Sequence, residues 1–179
     1  EYYDFNEYDN YVELMRYKGP SKVDLVIPSN LGENYYPVTI IGDYAFEGTN
    51  FKHITLPSTI EEIKHHAFYG CNNLEYLIIP YNVSKINTSA LDTKYPIFFE
   101  NEEVGKNFTH MNNVYLLSKD RPTTEGNYWY YYNGKPMIWD DANNLYFIDQ
   151  SNGKFDENLI FNGDASYYYL EIELEENTS

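Results

Sequence analysis

Between Thr39 and Val83 the chain writes one pattern twice, and that duplication limits the folds open to it more than any other feature. Ile41-Gly42-Asp43-Tyr44-Ala45-Phe46-Glu47-Gly48 returns as Ile63-Lys64-His65-His66-Ala67-Phe68-Tyr69-Gly70. Phe51-x-x-Ile54-x-Leu56-Pro57-x-x-Ile60 returns as Leu74-x-x-Leu77-x-Ile79-Pro80-x-x-Val83. The offset is about 22 residues in the first half and about 23 in the second, a period that belongs to stacked solenoids. A third copy has Ile86 for Ile63 and Ala90-Leu91 for Ala67-Phe68, and an incomplete earlier copy has Leu25-x-Ile27-Pro28. A unit this small cannot bury its own apolar face. Its core must come from stacking on neighbours, which requires three or more units with sealed ends.

The physics of one unit follows from its residues. Ile54 and Leu56 flank an outward Thr55, the alternation of a short half-buried strand. Pro57 closes that strand, because it has no N–H for a ladder. Ala45-Phe46 reads as a tight turn sending one small and one large side chain inward, and Gly48 and Gly70 supply a positive φ.

Ala67-Phe68-Tyr69-Gly70-Cys71-Asn72-Asn73-Leu74, with isoleucine before it and leucines ending at proline after it, resembles the BspA-type leucine-rich repeat of bacterial surface proteins. The resemblance runs from Tyr17 to about Phe99. It implies a leucine-rich-repeat solenoid of short β-strands, turns and short helical turns. It also implies a secreted or cell-surface bacterial module of adhesion type, with no enzymatic activity and no cofactor. The departures are Thr49 where the next copy has Cys71, Leu91 for the phenylalanine, and Thr93 for the glycine.

Composition narrows the partners. A formal net charge of −16 over 179 residues speaks against nucleic acid or an anionic membrane surface, both of which need a basic face. No run approaches the roughly 18 apolar residues of a membrane span, so no direct membrane insertion is expected. A single cysteine excludes a disulfide scaffold. The chain starts at Glu1 rather than methionine, as expected of a mature or trimmed chain whose signal or anchor lies outside it.

In chain order, residues 1–22 form an N-terminal capping segment. Glu1 to Asn10 either frays or covers the first rung, and Tyr11 to Tyr17 alternates as a capping strand, with Val12, Leu14 and Arg16 sharing a face. Repeats occupy 23–126, most clearly 39–83, with Asn30 to Tyr36 as a lengthened loop, Ile97-Phe98-Phe99 as a fourth rung strand, Glu100 to Asn107 as a polar loop, and Val114 to Leu117 as a strand. Residues 127–179 change to hairpins: Tyr128 to Tyr132 turns at Asn133-Gly134 into Met137-Ile138-Trp139, and Leu145 to Ile148 leads to Asn152-Gly153. Tyr168 to Glu175 alternates apolar and acidic residues as a last strand. These hairpins form a β-rich C-terminal cap.

The residues that invite chemistry have simpler explanations. Cys71 beside the repeat glycine, with His53, His65, His66 and His110 elsewhere, suggests a nucleophile and base, but a free cysteine is among the most buried residue types. His65 and His66 are adjacent residues that point apart and have no third ligand at suitable spacing, so no metal is expected. Asp149-x-Ser151-x-Gly153 lacks the glycine and glutamate of a calcium loop and reads as an Asn-Gly turn.

Two surfaces remain as binding candidates. Aligning the rungs on Pro28, Pro57 and Pro80 stacks Asp24, His53 and Tyr76 in one column and Val26, Thr55 and Ile78 in the next. The expected ligand-binding residues are Val26, His53, Thr55, Tyr76 and Ile78, on the strand face, for a host or surface protein. The alternative is a glycan or choline ligand on the tyrosine- and tryptophan-rich hairpins, which resemble the repeats of choline-binding and glucan-binding wall proteins but lack their regular tryptophans. A structural spacer in a longer surface protein is the third reading. No acid, base and nucleophile converge at recognisable spacing, so an enzyme is not expected.

Overall fold

The computed structural model describes residues 2–139 and the backbone of 145–147. The chain divides into two compact units, Glu1–Asn113 and Val114–Ser179.

The first unit is a stack of rungs with two rows of short strands. It contains β1 (Tyr3–Glu7), β2 (Val12–Tyr17), β3 (Asp24–Val26), β4 (Asn30–Leu31), β5 (Tyr36–Ile41), β6 (His53–Thr55), β7 (Glu62–Ile63), β8 (Leu77–Ile79), β9 (Lys85–Ile86), β10 (Ile97–Phe99) and a one-turn helix α1 (Glu102–Gly105). One row runs β1-β2-β5-β7-β9, parallel from β2 onward, with Ile41 opposite Ile63 and Ile63 opposite Ile86. The other row joins β3 to β6 and β8 to β10, again parallel. Between these pairs, the Glu75 N–H donates to the Lys52 carbonyl at 3.0 Å.

The turns are stacked as well as the strands. The amides of Tyr44, Phe46 and Gly48 donate to the carbonyls of His65, Ala67 and Tyr69 at 3.1, 2.8 and 2.8 Å. Turn backbone therefore finds its partners in the next rung rather than in water. Equivalent residues also share conformation: φ is +57° at Tyr44 and +50° at His66, and +71° at Gly48 and +74° at Gly70.

Inward side chains form columns. Ala45, Ala67 and Ala90 are all buried where rungs approach closely. Beside them Tyr17 stacks on Phe46 (6.1 Å, 20°) and Phe46 on Phe68 (5.7 Å, 14°). Leu91 holds the next position and is buried, so the third rung keeps the shape despite losing the phenylalanine.

Three local expectations need correction. The capping strand does not keep one phase: Asp4 faces Arg16 while Phe5 faces Leu14, so Met15 is the extra residue of a bulge. A bulge shifts the alternation by one, and Tyr17 rather than Arg16 turns inward. Asn30 to Tyr36 is not a plain loop, because β4 pairs antiparallel with the start of β5. Tyr35 at its tip is 71% exposed. Glu100 to Asn107 contains α1, which Asn101 caps by accepting from the amides of Glu103 and Val104, a local bond that composition alone does not reveal.

The second unit holds β11 (Val114–Leu117), β12 (Tyr128–Tyr132), β13 (Lys135–Trp139) and β14 (Leu145–Phe147). β12 and β13 form the hairpin expected at Asn133-Gly134. Both turn residues have positive φ, +52° and +77°, which suits the right-handed strand twist. Trp129 and Met137 are fully buried. The second Asn-Gly turn, Asp149 to Gly153 and the last strand lie outside the described residues.

Candidate functional site

The candidate face is built where β3, β6 and β8 present their outward residues. Parallel pairing sets Asp24 beside His53, Leu25 beside Ile54 and Val26 beside Thr55, the columns that the proline alignment gives. The next rung continues the first column, with the Tyr76 ring centroid 5.7 Å from that of His53. Val26 is 71% exposed, Thr55 is exposed, and His53, Tyr76 and Ile78 are half-buried. The structure thus brings all five sequence-chosen residues onto three successive rungs.

A charged clamp holds the middle of this strip. His53 Nδ1 meets Asp24 Oδ1 on one side, and Nε2 lies 3.0 Å from Glu75 Oε1 on the other. Carboxylate oxygens accept, so each ring nitrogen that carries a proton donates to the carboxylate on its side. Glu75 also lies 4.0 Å from Lys52 Nζ. Burial, with the neighbouring Asp24 and Glu75 charges added, pushes the Tyr76 phenol up to about 12. The phenol is therefore a neutral hydrogen-bonding group across the physiological range. Glu75 is the residue that column reading missed. It stands five positions before Pro80, as Lys52 stands before Pro57, and that offset places opposite charges on adjacent rungs.

The nucleophile-and-base reading of Cys71 finds no support in the geometry. Its thiol is buried and donates to the Phe46 carbonyl at 3.1 Å, with Thr49 Oγ1 at 3.4 Å. Burial pushes its pKa up, which disfavours the thiolate that nucleophilic attack needs.

His65 and His66 do not point apart. Their ring centroids are 4.0 Å apart, because the positive φ at His66 ends the alternation of an extended chain. Among the described residues no group of three or more His, Cys, Asp or Glu side chains is placed to enclose a metal ion.

The aromatic hairpin satisfies itself in part. Trp139 Nε1 donates to the Ser118 carbonyl at 2.9 Å, and the Arg121 guanidinium lies 5.2 Å from the Trp139 ring centroid.

Rungs of two short parallel strands joined by turns with an Ala-aromatic pair define a solenoid of the leucine-rich-repeat class. Residues 30–115 match the BspA type leucine rich repeat region in six copies. That segment, a little under half of the chain, carries the repeats of this family, whose members are typical of bacterial surface proteins and generally serve as protein-interaction modules. Two crystal structures are similar. A leucine-rich repeat protein from Bacteroides capillosus is 28% identical, over 56% of this chain and 95% of that one, with a TM-score of 0.44. The Leucine Rich Repeat protein of T. pallidum is 16% identical, over 65% of this chain and 69% of that one, with a TM-score of 0.40. No curated protein matches. Among the described residues no helix is long and apolar enough to cross a membrane.

Proposed function

We propose that this chain is a non-catalytic, surface-displayed or secreted adhesion-type module that binds a protein partner through the strand face of β3, β6 and β8. The observation that carries this reading is the composition of the strip. An exposed valine, a threonine and a half-buried isoleucine run alongside a histidine clamped between two carboxylates. An apolar ridge with a polar, charge-bearing margin is the anatomy of an interface core and rim. Because His53 and Glu75 are held by their neighbours, little side-chain freedom is lost on docking. The N-terminal strands within 1–22 serve as a cap on the first rung. A glycan site on the hairpins is the weaker reading, since Trp129 is fully buried and Trp139 is engaged within its own unit.

The test is a binding screen of the purified chain against immobilised matrix and plasma proteins and, separately, polysaccharides, at physiological salt. The expected result is a saturable protein hit that Ile78→Arg and Val26→Asp each abolish while circular dichroism stays unchanged. Retained binding in both variants, or binding to polysaccharides alone, would refute the assignment to this face.

A further inference from the structure

The geometry points to a second site, away from the strand row, where His65 and His66 form a bidentate imidazole pair for a divalent transition-metal ion, with solvent filling the remaining coordination positions. The argument rests on hydrogen-bond directions around Ser89. The His66 Nδ1 lies 3.1 Å from the Ser89 carbonyl oxygen. A carbonyl only accepts, so Nδ1 carries the proton and, in the neutral ring, Nε2 carries the lone pair. The His65 Nδ1 lies 2.9 Å from Ser89 Oγ, whose own proton goes to Asn87 Oδ1 at 2.7 Å. That serine oxygen therefore accepts from His65, and the same tautomer follows. One residue thus fixes both rings with Nε2 as the free donor atom, the orienting arrangement that metal-bound histidines require.

Two further features fit this use. The rings lie 4.0 Å apart and tilt by 39°. Tyr44 packs edge-on against both, at 5.5 and 5.2 Å, and Tyr69 lies 4.9 Å from His66. Those rings limit rotation and give the pair an apolar surround. In addition, Tyr44 and His66 both occupy the left-handed backbone region, where glycine or asparagine is cheaper. Strain of this kind that keeps bulky side chains side by side gathers at functional positions. Imidazole donors select zinc, copper or nickel over magnesium or calcium.

The experiment is a Zn2+ titration of the full chain by calorimetry, with imidazole nitrogen NMR recorded in parallel and Mg2+ as the hard-cation control. In the free protein His65 and His66 should show the Nδ1–H tautomer. Zn2+ should shift their Nε2 signals, leave those of His53 and His110 in place, and have no counterpart with Mg2+. His65 lies outside the left-handed region, so His65→Ala keeps the backbone. It should weaken Zn2+ binding at least about tenfold, as should Ser89→Ala, which removes the hydroxyl that orients His65 and accepts the His66 backbone N–H but keeps the carbonyl that orients His66. Where His66 is replaced, His66→Asn is the variant that tolerates the positive φ. Zn2+ affinity unchanged in His65→Ala, or Nε2 signals of both rings unmoved by Zn2+, would overturn the proposal and assign any binding to carboxylates.

Discussion

The ring column through the rungs gives the sharpest test of how the stack is held. Phe46 is fully buried between Tyr17 and Phe68, with ring centroids 6.1 and 5.7 Å away, whereas Phe68 has one such stacked partner. Removing a buried phenylalanine side chain costs about 3–5 kcal/mol through lost transfer energy and the residual cavity. Each aromatic pair adds about 0.5–1.5 kcal/mol. Phe46→Ala should therefore destabilise the first unit by about 4–5 kcal/mol and Phe68→Ala by about 3–4 kcal/mol. Phe68→Leu should cost only about 1–1.5 kcal/mol, because the next rung already packs Leu91 in that position. Both tryptophans, Trp129 and Trp139, belong to the second unit, so fluorescence is the wrong probe. Urea unfolding followed by far-UV circular dichroism, with exchange at the amides of Phe46 and Gly48, reads the first unit instead. A Phe46→Leu, Phe68→Leu cycle should show a coupling of about 0.5–1.5 kcal/mol. If the two changes add to within about 0.3 kcal/mol, ring stacking does not hold the rungs together, and if Phe68→Leu costs as much as Phe68→Ala, the position does not accept leucine as the next rung does.

Further expectations follow from particular contacts. Gly48→Ala should cost about 1 kcal/mol for its positive φ alone, since a Cβ there meets nothing within 4 Å, and Gly70→Ala should cost more, since its Cβ would sit 3.4 Å from the Gly48 nitrogen; thermal melts of both variants rank them. Glu13 is 7% exposed and its carboxylate lies 3.0 Å from Lys64 Nζ, so Lys64→Met, which leaves a buried unpaired carboxylate, should destabilise by about 1–3 kcal/mol. In denaturant titrations the double change Glu13→Gln with Lys64→Met should recover part of that loss. Burial raises the phenols of Tyr3 and Tyr76 to about 12 from 10.0, and the Glu13 hydrogen bond raises the Lys64 ammonium above 10.5. All three groups bind protons more tightly when folded. Their stabilisation is complete below pH 10 and is lost as pH rises through 10 to 12. Unfolding midpoints should therefore fall in that window, and a midpoint constant from pH 9 to 12 would contradict the assignment.

Much of this was legible in advance because in a solenoid the repeat offset is the strand register. Aligning Pro28, Pro57 and Pro80 therefore gave the pairs Asp24–His53 and Val26–Thr55 that the parallel ladder makes. What escaped depended on geometry that periodicity does not carry. The bulge at Met15 leaves no mark in an alternating sequence, yet it turns Tyr17 under the first rung. Glu13 reads as a solvent-facing residue until Lys64, far along the chain, arrives beside it. Adjacent histidines point apart only on an extended backbone, and at His66 φ is +50°. The hint lay in the repeat itself: Asp43-Tyr44 precedes Ala45 in a turn, and its counterpart could not be a strand.

The worn third rung is more informative than the two clear ones. Backbone bonds between rungs, such as Lys64 N–H to the Ile41 carbonyl at 2.9 Å and Asn87 N–H to the Ile63 carbonyl at 2.9 Å, repeat whatever the outward side chains are. Outward positions are thus free to vary without cost to the stack. In the third rung Asn87 caps a short 3-10 turn from Thr88 to Ala90, and that turn sets the hydroxyl and carbonyl of Ser89 against the two imidazoles of the rung before. The strand-face clamp is built the same way, from Asp24, His53 and Glu75 on three rungs. Both surfaces exist only across rung boundaries, so neither survives in an isolated repeat. Phe46→Ala should accordingly weaken partner binding and zinc binding together, although its ring lies in the core, whereas Ile78→Arg should affect the first alone.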